Sequence, residues 1–176
     1  EFDLIARYFQ RPDRPLNPAV GLGSGDDCAL LQTALGMQLA VSTDMLVAGR
    51  HFFDDVDPHA LAHKALAVNL SDLAATGAKP LAFTLALSLP HADETWLHAF
   101  SQGLFELADA YNCSLIGGDT TRGPLNICIT VYGEVPVGQA LLRSGAQVGD
   151  DIYVSGHLGD ARLALEVLQS QREPHP

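Results

Sequence analysis

The stretch GLGSGDDCALL, residues 21–31, decides how the chain is read. Gly21, Gly23 and Gly25 alternate with other residues, as in loops that cradle phosphate. Asp26 and Asp27 follow at once, and carboxylates repel phosphate. Three readings compete: a phosphate loop, a metal site, or a tight turn before a strand. A dinucleotide-binding loop needs a strand ahead of its glycines and a helix behind them. Here a loop with Pro12, Pro15 and Pro18 precedes, and an apolar, strand-like run follows. A Walker loop needs a Gly-Lys-Ser/Thr ending, and no lysine is present. Both standard phosphate loops are therefore excluded. The glycines are expected to let a mobile loop turn tightly into a strand that presents Asp26 and Asp27 to metal. Backbone contact with phosphate, with metal in between, stays open.

The rest of the chain follows from that strand. EFDLIARYF, at its start, has helical spacing. CALLQ and MQLAVSTD read as strands separated by a turn at Gly36, and MLVAGRHFFDDVDP as a long acidic and aromatic connection. A helix is predicted from Pro58, with Leu61, Ala65, Val68 and Leu73 on one face and Gly77 at its end. PLAFTLALSLP is apolar almost throughout and reads as a central strand. DETWLHAFSQGLFELADAY reads as a second helix capped by Asp93, with Trp96, Phe100 and Phe105 in the core. CSLIGGD is expected to be a strand ending in a glycine turn, LNICITVYGEV a longer strand and DIYVSG a shorter one. LGDARLALEVLQ starts a last helix that fades into the polar tail SQREPHP. The fold class is α/β: a mixed sheet with helices mainly on one face. The last helix looks like the start of something larger, so the chain reads as the first half of a longer protein.

The 176 residues are enough for one domain with a well-filled core. Hydrophobic residues make up 47% and charged residues 18%, a globular balance. No run is long and apolar enough to span a bilayer, and no signal peptide is visible. The formal charge is −11, and no basic patch of the kind nucleic acid requires is visible. An acidic protein can still bind a polyphosphate through divalent cations. Cys28, Cys113 and Cys128 form no CxxC pair and are expected to be small buried residues in a reducing cytoplasm.

Asp26, Asp27, Asp44 and Asp119 follow strands or lie beside glycines. Asp72 differs, because it falls inside the long helix, where Asn69, Ser71 and Asp72 interrupt an alanine- and leucine-rich run. Each acid alone is adequately explained as a cap or an Asx-turn residue. Together, carboxylates from separate segments need cations to be brought close. Hard oxygen ligands, with Ser42 and Thr43 adding hydroxyl or carbonyl oxygens, suit magnesium. His59 and His63 have zinc-ligand spacing but no third ligand, and are expected on a helix face.

The same residues carry a family resemblance. GDDCALL, STDMLVAGRHF, HKALAVNLSDLAATGAKP, LIGGDTTRGPL and LLRSGAQVGDDIYVSG resemble, in order and spacing, the N-terminal half of the thiamine-monophosphate kinase family. That family belongs with aminoimidazole ribonucleotide synthetase, selenophosphate synthetase and a hydrogenase maturation protein. The resemblance implies an α/β unit whose strands are shared across a homodimer barrel, binding ATP with several magnesium ions. It implies magnesium ligands at Asp27, Ser42, Thr43, Asp44, Asp72 and Asp119, with Asp26 adjacent. It places Gly118 and Asp119 in an ATP-contact turn, Arg143 on the ATP phosphates and His51 on the substrate. Ser24 departs from the family, which has an apolar residue there. The implied division is residues 1–150 as the ATP-, magnesium- and dimer-forming domain and 151–176 as the start of a C-terminal domain whose remainder is missing.

The implied reaction is phosphoryl transfer from ATP to thiamine monophosphate, giving thiamine diphosphate in the cytoplasm. Both reactants are anionic, which fits a metal-rich acidic site. The acceptor oxygen is already ionised, so no base or protein nucleophile is needed. Asp72 would bridge metals and Arg143 would stabilise the transferring group. Two alternatives stand beside this reading: another ATP-dependent enzyme of the superfamily, or a dimerising, metal- and nucleotide-binding module without turnover. The fragment alone is expected to be inactive.

Overall fold

The structure is a computed structural model that describes residues 2–154 and 156–169. The tail SQREPHP lies outside the described residues. The chain divides into a unit ending at Leu142 and a second beginning at Arg143. The first carries α1 (Phe2–Tyr8), β1 (Val20–Leu22), β2 (Leu30–Leu31), β3 (Met37–Val47), α2 (Pro58–Thr76), β4 (Lys79–Leu89), α3 (Glu94–Ala110), β5 (Ser114–Arg122) and β6 (Asn126–Pro136). The second carries a 3₁₀ turn, Arg143–Gly145, and α4 (Asp160–Leu168).

The main sheet has the order β3-β6-β4-β5. β6 runs antiparallel to both β3 and β4, and β5 runs parallel to β4, so the sheet is mixed as expected. PLAFTLALSLP is an interior strand. The apolar content of β4 and β6 suits strands that are hydrogen-bonded on both sides and covered by helices on one. Their helix-side residues Phe83, Leu85, Leu87, Ile127, Ile129 and Val131 form one core with Leu61, Leu66 and Leu73 of α2 and Leu97, Phe100 and Leu104 of α3. The opposite face is covered at one end only, where Leu81, Ala82 and Ile116 pack against Val20 and Leu31 of the small β1-β2 pair.

Both long helices begin and end where their sequences direct. Asp57 Oδ2 accepts from the Ala60 N–H at 2.9 Å, Pro58 occupies the first turn and α2 ends at Gly77. Asp93 Oδ1 accepts from the Thr95 and Trp96 N–H groups and caps α3. Trp96 stacks on the fully buried Phe100, with ring centroids 4.7 Å apart. The helices cross at Gly103, where an added Cβ would lie 2.2 Å from the His59 carbonyl oxygen. Backbone cannot yield as a side-chain tip does. Gly103→Ala is therefore expected to separate α2 from α3 and cost about 2–3 kcal/mol in urea unfolding.

Four expectations are corrected. CALLQ contributes only Leu30–Leu31, outside the main sheet, paired with Val20–Leu22, a strand the glycines had concealed. The strand MQLAVSTD continues to Val47, because Met45, Leu46 and Val47 pair with Cys128, Ile127 and Asn126. CSLIGGD does not stop at its glycines, since β5 runs to Arg122 alongside β4. The described residues of DIYVSG form no strand: Ile152 and Tyr153 are 94% and 88% exposed, and no neighbouring strand supplies a ladder.

Candidate functional site at the edges of the sheet

The acid-bearing segments gather in two groups. In the first, β3 faces α2. Ser42 Oγ donates to Asp72 Oδ2 at 2.6 Å. The Asp44 N–H donates to Asn69 Oδ1 at 3.1 Å, and Asn69 Nδ2 donates to the Ala65 carbonyl at 2.9 Å. Asn69 is 1% exposed, so these bonds satisfy a polar side chain inside the core and fix the height of Asp44 against the helix. Its signal in the sequence was a polar residue on the same face as Leu66 and Leu73. Thr43 does not join this group, because alternation along the strand turns it to the other face of the sheet. There its hydroxyl lies 2.9 Å from that of Thr130.

The second group lies around β5. Asp26, Asp27, Gly118 and Asp119 line one open recess of about 740 Å³, together with Thr84 of β4. The Asp27 N–H donates to Asp26 Oδ1 at 2.8 Å, and both acids lie exposed in the loop ahead of β2 rather than on the strand expected to present them. Asn17, 4% exposed, pins the proline loop that leads there. Its N–H donates to Ser114 Oγ and its Nδ2 to the Asn112 carbonyl, both at 2.8 Å. Gly118 is not in a turn. It sits within β5 with φ +142°, opposite Leu85, where an added Cβ would lie 1.9 Å from the Leu85 carbonyl oxygen. Just before it the register shifts between Phe83 and Thr84, leaving Ile116 as an extra residue.

The two groups do not meet within one chain. Asp44 lies opposite Ile129, Ile129 opposite Leu85 and Leu85 opposite Gly118. That is three strand spacings, about 14 Å, from one edge of the sheet to the other. Among the described residues no three His, Cys, Asp or Glu side chains come close enough to share one ion.

The remaining candidates fall as follows. His51 is exposed, in a turn after β3, and its Nδ1 accepts from the Val47 N–H at 3.0 Å. Arg143 is exposed in the 3₁₀ turn of the second unit. Ser24 is exposed beside Gly25, in the loop that lines the recess. His59 Nε2 lies 3.0 Å from Glu106 Oε2, an α2–α3 contact on a helix face as expected, and His63 is exposed. The cysteines split. Cys113 is buried, which pushes its thiol up to about 12. Cys128 is half-buried, and Cys28 is exposed because the loop carrying it lies over the recess. Among the described residues no helix is long and apolar enough to cross a membrane.

Comparison with known proteins extends these observations. The chain is 58% identical, over 97% of its length and 52% of the relative's, to the thiamine-monophosphate kinase of Escherichia coli (strain K12). It superposes on the crystal structure of thiamine-monophosphate kinase from Stenotrophomonas maltophilia K279a with a TM-score of 0.82 and 50% identity, covering 97% of this chain and 52% of that one. It superposes on AaThiL complexed with AMPPCP and TMP with a TM-score of 0.73 and 31% identity, covering 82% and 47%. The chain thus spans about half the length of the relatives it matches. Residues 25–135, from the glycine loop to the end of β6, match the family described as AIR synthase related protein, N-terminal domain. The mixed sheet, its helix-covered face and the acid-bearing strands all lie within that match, and the chain belongs to this family.

Proposed function

We propose that this chain is the N-terminal part of a thiamine-monophosphate kinase, which transfers a phosphoryl group from ATP to the phosphate of thiamine monophosphate. The observation that carries the reading is the 58% identity to a thiamine-monophosphate kinase over 97% of the chain. A relative solved with AMPPCP, an ATP analogue, and TMP supports the pairing of substrates. A reaction that draws on ATP belongs in the cytoplasm. The reading divides the chain into residues 1–150, for nucleotide, metal and dimerisation, and 151–176, the start of a C-terminal domain.

The donor set fits magnesium. Ser42, Asp44, Asp72, Asp27 and Asp119 offer hydroxyl and carboxylate oxygens, and no thiol or imidazole stands among them. Thr43, whose hydroxyl is turned away, would contribute through its backbone carbonyl. Bound magnesium screens the charges of donor and acceptor phosphates. Gly118 lets the backbone approach the nucleotide, Arg143 serves the ATP phosphates and His51 the acceptor. Asp72, held by Ser42, would bridge the metals.

A homodimer would complete this set. β3 and β5 are the two edges of the sheet, and β3 exposes Leu39, Val41 and Met45. Unpaired apolar edges favour pairing with another chain. Pairing β3 of one protomer with β5 of its partner closes eight strands into a barrel. Asp44 and Asp72 would then stand beside Asp27 and Asp119 of the partner subunit.

The test is thiamine diphosphate formation by the full-length protein. It is expected to require ATP and magnesium and to reject aminoimidazole-type and selenide substrates. Turnover of those in place of thiamine monophosphate would favour another superfamily activity, and no turnover of any would favour a binding module. Mixing inactive Asp44→Asn and Asp119→Asn proteins, with subunit exchange, is expected to restore about a quarter of the activity, since half the dimers then hold one intact site. Sedimentation as a monomer, or no restoration, refutes the shared site.

A further inference from the structure

Three polar links zip α2 to β3 and the turn beyond it, in reverse order along the two segments. Lys64 reaches His51, Asn69 reaches Asp44 and Asp72 reaches Ser42. The last two serve the acidic group. The first lies eight residues, about 12 Å, along the helix from Asp72.

The turn that Lys64 holds is closed on itself. The Arg50 and His51 N–H groups donate to the Val47 carbonyl at 3.2 and 3.0 Å, and the Gly49 N–H donates to the Phe52 carbonyl at 3.0 Å. Phe52, 7% exposed, anchors the turn in the core. The Val47 N–H donates to His51 Nδ1 at 3.0 Å. A ring nitrogen that accepts from an amide carries no proton, so the imidazole proton sits on Nε2. Lys64 Nζ donates to the His51 carbonyl at 2.5 Å, which uses one of its three protons and leaves two for another acceptor. The connection that follows carries Asp54, Asp55 and Asp57. An anionic molecule arriving here meets like charge, offset by Arg50 within the turn and Lys64 beside it.

We propose that Lys64 is a positioning residue for the acceptor end of the site. It clamps the Val47–Phe52 turn so that His51 offers Nε2–H as a fixed donor, with the ammonium charge beside it, to a phosphate monoester. The proposal rests on the reading of His51 as a substrate contact.

The test uses the full-length protein and reads His51 directly. The long-range ¹⁵N–¹H NMR pattern of His51 is expected to show the single Nε2–H tautomer in the wild type and a mixture in Lys64→Met. The KM for thiamine monophosphate is expected to rise about tenfold in Lys64→Met, with kcat and the KM for ATP within about twofold. Lys64→Arg is expected to recover most of that loss, because a guanidinium still reaches the carbonyl. An unchanged His51 pattern with an unchanged KM overturns the proposal, as does a fall in kcat with KM unaltered. If His51→Ala raises the KM while Lys64→Met does not, the proposal alone falls. If His51→Ala leaves the KM unchanged, the substrate role of His51 is wrong and the proposal falls with it.

Discussion

Asp72→Asn in the full-length protein is expected to lower kcat about a hundredfold or more, equivalent to roughly 2.7 kcal/mol of barrier. The substitution keeps the shape of the side chain and an oxygen that can accept from Ser42, whose hydroxyl lies 2.6 Å from Asp72. What it removes is the charge. Asp72 is exposed on α2, opposite β3, so the fold does not depend on it. Stability should hold within about 0.5 kcal/mol, as for other surface substitutions. Half-saturation in magnesium should move upward, because a carboxylate ligand becomes a neutral one. The measurement is a magnesium titration of initial rates alongside thermal unfolding. Wild-type kcat at ordinary magnesium would remove Asp72 from the site.

Gly118→Ala is expected to damage the fold as well as the activity. A Cβ there would lie 1.9 Å from the Leu85 carbonyl oxygen and 2.5 Å from its carbon, and Leu85 belongs to β4, which is paired on both edges. The φ of +142° adds a conformation that alanine rarely adopts. Either β5 moves away from β4 or the strand breaks, at an expected cost of at least about 3 kcal/mol and a fall in Tm of roughly 6–12 °C. Gly117→Ala is the internal control. An added Cβ at Gly117 meets nothing within 4 Å, so a change below about 0.5 kcal/mol is expected there. Equal behaviour of the two variants in thermal unfolding would show that the close approach at Gly118 is not what the residue is for.

Much of the fold was legible because it is written in local chemistry. Pro58, Gly77 and Asp93 mark their helix ends through backbone conformation and backbone groups within a turn. β4 was legible because it is apolar almost without interruption, and β6 because apolar residues recur at alternate positions. β1 was missed because three residues with glycine among them have no periodicity to detect. The continuation of β5 through Gly117 and Gly118 was missed because consecutive glycines signal a turn when no neighbour is known. With β4 alongside, the strand continues through them, and at Gly118 the missing Cβ leaves room for the Leu85 carbonyl.

The candidate acids were legible as residue types at telling positions: Asp72 inside an alanine- and leucine-rich helix, and Asp26, Asp27 and Asp119 near glycines. Their grouping was not. Nothing local distinguishes Thr43 from Ser42 until the pleat turns one toward Thr130 and the other toward Asp72. The links from Asn69 to Asp44, Asn17 to Ser114 and Lys64 to His51 join residues 25, 97 and 13 positions apart, which no short pattern encodes.

The sequence by itself determined the α/β class, the two capped helices and the chemistry on offer: hard oxygen donors in an acidic chain. These depend on contacts within a turn or two, or on composition. Only the tertiary structure decided that the donors divide between the β3 and β5 edges. That separation follows from strand order, β3-β6-β4-β5, which is set by how apolar faces pack rather than by any residue near the acids.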